Sequence, residues 1–262
     1  MSQTYRIRIR QPARRRWAYL LLVAGAACLY LASISFSKTA MKVEIAPGVL
    51  VTQEQILPEH IFSIVTLTSG SDRACMQAES ARYAARGASG ALWHSGGLYH
   101  AAGAVFADAE AALSAAQILS AAEGVPAQTL PVRIPGPVLR ITATKQQLAA
   151  LTEGDSLLYS AAMHLGDLAV KTDSGEIDFA GAKAQLSAQQ SRLADMYDRL
   201  HRLVSGEREP AAQTLVRLLK NAAEGTRELS EAQGFSRLQL SSQIRALQLS
   251  LLQEFCAWRT DL

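Results

Sequence analysis

The sequence predicts an α+β protein in which a transmembrane helix leads into a small mixed domain and then into a set of packed helices. Three observations predict it. Residues 17–36 form an uncharged, mostly apolar stretch that directly follows a cluster of arginines. Between residues 60 and 134, strand-like and helix-like patterns alternate in the order β-α-β-β-α-β. Beyond residue 137, leucines recur at helical spacing in long runs separated by short breaks.

The anchor comes first. Residues 1–16 carry Arg6, Arg8, Arg10, Arg14, Arg15 and Arg16 and no acid, and read as a cytoplasmic basic tail. The following run, WAYLLLVAGAACLYLASISF, is long enough at about 1.5 Å per residue to cross roughly 30 Å of hydrocarbon. Trp17 and Tyr19 stand where interfacial aromatics belong, and the arginines hold the N-terminus inside. The run exceeds the apolar core of a cleaved signal and lacks an uninterrupted small-residue cleavage site. An uncleaved single-pass anchor in the cytoplasmic membrane is therefore expected, with residues 37–262 extracytoplasmic.

The charge divides along the same line. The whole chain has a net charge of +3, but residues 37–262 carry 20 basic and 23 acidic side chains. That part is mildly acidic, so no nucleic-acid partner is expected. Residues 37–59 read as a juxtamembrane linker, broken by Pro47-Gly48 and Pro58.

Residues 60–136 form the mixed domain. The β-branched run Ile61–Thr68 suits a strand, and Ser69-Gly70-Ser71-Asp72 turns the chain into a capped helix. That helix extends to about Arg86, packs through Ala74, Ala78, Ala81 and Ala85, and closes at Gly87. Two strands follow as a hairpin around Ser95-Gly96-Gly97, the second ending near Phe106. Asp108 caps a second helix through Glu123, Gln128–Ile134 supplies a last strand, and Pro135-Gly136-Pro137 ends the unit. This order is ferredoxin-like: a four-stranded antiparallel sheet with both helices on one face and the other face open.

Residues 137–262 read as an antiparallel four-helix bundle. A short strand at Val138–Ile141 precedes the capping box Thr144–Gln147. Leu148, Leu151, Leu158, Leu165 and Leu168 mark the first helix. Leu186, Leu193 and Leu200 repeat every seven residues in the second. Pro210 starts a third helix, and Gly234 precedes a fourth bearing Leu247, Leu251, Phe255 and Trp258.

The chemistry that would imply catalysis is missing. His60, His94, His100, His164 and His201 are scattered, with no zinc spacing or carboxylate cluster around them. His94 and His100 could approach each other across the hairpin, but two histidines alone make a poor metal site. Cys28 lies in the apolar run. Cys75 and Cys256 are expected as buried free thiols rather than as a bridge. No cofactor, catalytic residue or metal ligand is expected, and the protein reads as a non-enzyme.

The mixed domain resembles the SPOR (sporulation and cell-division repeat) domain of bacterial envelope proteins. The resemblance rests on Leu98-Tyr-His-Ala-Ala-Gly-Ala-Val-Phe106-Ala-Asp108-Ala-Glu-Ala-Ala and on the equivalent first half, Phe62-Ser-Ile-Val-Thr-Leu-Thr-Ser-Gly-Ser-Asp72-Arg. It covers roughly residues 60–134. Thr66 and Thr68 stand where the family's first strand carries glutamine followed by glycine. The whole layout is similar to that of membrane-anchored envelope proteins of spore-forming Firmicutes. The resemblance implies binding to peptidoglycan glycan strands at the division or sporulation septum. Phe62, Thr66, Trp93, Tyr99 and His100 are the glycan-binding candidates on the open sheet face. The competing expectation is an envelope scaffold that uses the helical bundle to recruit envelope proteins, with glycan binding lost.

Overall fold

A computed structural model describes residues 50–205 and 210–262. The basic tail, the expected transmembrane helix, Cys28 and most of the linker lie outside the described residues. Among the described residues, no helix is long and apolar enough to cross a membrane.

The described chain is mixed α+β, with antiparallel sheets. In order it forms β1 (Val51–Ile56), β2 (His60–Gly70), α1 (Arg73–Ala84), β3 (Leu92–Ser95), β4 (Leu98–Phe106), α2 (Ala109–Glu123), β5 (Gln128–Ile134) and β6 (Val138–Ala143). Four long helices follow: α3 (Lys145–Ser174), α4 (Phe179–Val204), α5 (Pro210–Glu231) and α6 (Arg237–Thr260). The expected caps hold the helix starts. Asp72 accepts from the amides of Ala74 and Cys75, Asp108 from those of Glu110 and Ala111, and Thr144 and Gln147 close a full capping box.

One strand falls inside the expected linker. Val51–Ile56 pairs antiparallel along the whole of β6, which runs on to Ala143. Its apolar residues stand only at its two ends, so no alternation betrays it, and the partner strand defines it.

The main sheet has the order β3-β4-β2-β5 and is antiparallel throughout. The β1–β6 pair prolongs the β2–β5 pair past a waist at residues 57–59 and 135–137. There Leu57 N donates to Pro137 O at 3.2 Å. A Cβ on Gly136 would lie 2.6 Å from Leu57 O, so glycine is what lets the two crossings touch.

The two faces of the sheet bury different things. On one, Val65 and Leu67 meet Ala112, Ala116 and Val125, with Tyr83 and Leu119 at the margin, under α1 and α2. On the other, Phe62, Ile64, Trp93, Ala102, Val105 and Ile134 belong to the same core cluster as the long helices. The expectation of an open face therefore fails: α3 and α6 pack against it. The reason is apolar area. A surface of Phe, Ile, Trp and Val is unfavourable in water, and two long helices bring it a matching stripe.

Within the helices, α3 lies against α4 and α6, and α5 against α4 and α6. Leu186, Leu193 and Leu200, the seven-residue repeat of α4, are fully buried. Cys75 and Cys256 are free, but Cys75 is exposed rather than buried, because it sits on the outward side of α1 near its start.

Candidate functional site

The candidate site is the seam where the long helices close over the sheet. Strand alternation and register place Phe62, Thr66, Trp93 and His100 on the side of the sheet that faces it, and Tyr99 on the reverse side. Phe62 is fully buried, and Trp93 packs edge-on against it at 5.9 Å between ring centroids. Thr66 is also buried, and its hydroxyl donates to Gln128 O at 3.3 Å. These three face the helices, not solvent, because β2 and β3 turn the same side toward α3 and α6.

Tyr99 and His100 remain half-buried at the hairpin end of β4. His100 stands opposite Trp93 and lies 3.2 Å from the Ser95 hydroxyl. Tyr99 stands opposite His94, on the reverse face, with their rings 4.8 Å apart. The structure thus separates the two residues, and it also separates His94 from His100, which do not meet across the hairpin. Among the described residues, no three His, Cys, Asp or Glu side chains gather to hold a metal ion.

The seam is held by a polar stripe on the helices. Ser242 Oγ donates to Ala88 O at 2.6 Å and Arg245 Nη1 to Gly87 O at 2.5 Å. Gln248 Nε2 donates to Val105 O at 3.3 Å, and Gln253 Nε2 donates to Leu92 O. From α3, Tyr159 OH donates to Ile61 O at 3.1 Å. The bonds to Gly87, Ala88, Leu92 and Val105 satisfy carbonyls that helix packing wholly or partly removes from water, which otherwise costs up to about 1–3 kcal/mol apiece.

Its most distinctive group is a buried ion pair between two of the long helices. Arg259 and Asp155 both have side chains with no solvent exposure, with Nε 2.9 Å from Oδ1 and Nη2 donating to Oδ2 at 3.1 Å. The same guanidinium reaches Pro58 O at 2.8 Å and Pro135 O at 3.5 Å, the two backbone crossings of the waist. Burial pulls the Arg259 pKa down, and the charge and hydrogen bond of Asp155 work against that shift. His60 stacks on Tyr159 at 3.8 Å, with its Nε2 3.9 Å from Asp155 Oδ2 and without a hydrogen-bond partner. Burial also raises the Tyr159 phenol above its usual value.

This geometry binds chain to chain. The pair is closed off from solvent, and Nη1 and Nη2 of the guanidinium are spent on the waist carbonyls and the carboxylate, while Nε faces Asp155 Oδ1 as an ion pair without a hydrogen bond. The signal was present in the sequence: Asp155 interrupts the apolar stripe between Leu151 and Leu158, and Arg259 stands one turn after Phe255. An acid and a base at core positions of two helices call for each other.

No family model, curated protein or solved structure matches this chain.

Proposed function

We propose that this protein is a non-catalytic, membrane-anchored scaffold of the cell envelope, in which the sheet face that would read glycan serves as an internal packing surface. The strand order β3-β4-β2-β5 with α1 and α2 on one side supports the ferredoxin-like description. The mutual packing of α3 to α6 supports the four-helix bundle. The observation that carries the functional reading is the burial of Phe62, Thr66 and Trp93 beneath α3 and α6. A sugar needs an exposed aromatic platform, and these rings are already packed.

A second reading has one observation in its favour. Tyr99, His94 and His100 keep partly exposed rings at the hairpin end, a foothold for a glycan that approaches the sheet from its tip. Co-sedimentation of the full chain in mild detergent with purified sacculi separates the two. The scaffold reading expects no pelleting with intact sacculi or with sacculi stripped of stem peptides. Pelleting that rises on stripped glycan and is lost in Tyr99→Ala would overturn it in favour of the hairpin-end glycan site.

A further inference from the structure

We draw no further inference here: the strongest candidate, the outward face of the β1–β6 pair where Ile56 and Val138 stand exposed opposite each other, is an unpartnered apolar patch, and nothing in the structure shows what covers it.

Discussion

The two faces of the sheet differ in depth. Under α1 and α2 the buried set is thin and made of small side chains, with Val65 and Leu67 resting on two alanines and a valine. Under the long helices the same strands enter a core that runs unbroken from Phe62 and Trp93 to the leucines of α4 and α5. The thin face is closed by short-range neighbours that follow their strands directly. The thick face needs partners up to two hundred positions away, and it is where polar side chains reach across to sheet-unit carbonyls. Reach in sequence and burial of charge go together here: the distant helices meet the sheet unit at its backbone ends, and those ends require donors.

The sharpest way to break the contrast is to strike the thick face at its charge. Arg259→Met leaves Asp155 buried with only His60 Nε2, 3.9 Å away, beside it and frees two waist carbonyls, and should cost about 3–5 kcal/mol of stability. Urea denaturation of the purified chain measures it. Restoring an apolar match with Asp155→Leu in the same chain should recover part of that loss. A double variant no more stable than Arg259→Met would mean that the waist carbonyls, not the orphaned acid, carry the cost.

Packing gives the next contrast. Phe62→Ala on the thick face should cost about 3–5 kcal/mol, and Leu67→Ala on the thin face about 2–3 kcal/mol. Equal losses would argue that α1 and α2 contribute as deep a core as the long helices.

The mildest probe is chemical. Burial raises the Cys256 thiol to about 12, so on α6 it stays protonated at pH 8, whereas Cys75 is exposed on α1. Iodoacetamide at pH 8 should label Cys75 well before Cys256, as read by mass spectrometry of the digested protein. Cys256 becomes the faster of the two only if α6 lifts from its neighbours.

Much of the layout was legible because it is local. Caps at Asp72, Asp108 and Thr144 and the leucines of α4 each announce themselves within a turn or two of chain. What was hidden is non-local. Val51–Ile56 is a strand only because β6 lies beside it, and the fate of the Phe62–Trp93 face depends on helices that the alternation of β2 cannot mention. The glycan candidates suffered for that reason. Period-two alternation correctly put Phe62, Thr66, Trp93 and His100 on one side, yet it is silent on whether water or protein lies there. Tyr99 fell to the opposite side because the hairpin register pairs it with His94.

The Arg259 contact with Pro58 also has a consequence in time. Those residues are 201 positions apart, so the clamp cannot form until nearly all the intervening chain has been made. Until then the sheet can close its thin side with α1 and α2, while Phe62, Ile64 and Trp93 wait uncovered. A nascent chain at that stage would present a broad apolar surface to anything nearby, including another nascent copy. Chaperone protection would be needed most in the interval between completion of β5 and arrival of α6, and least once Arg259 has seated.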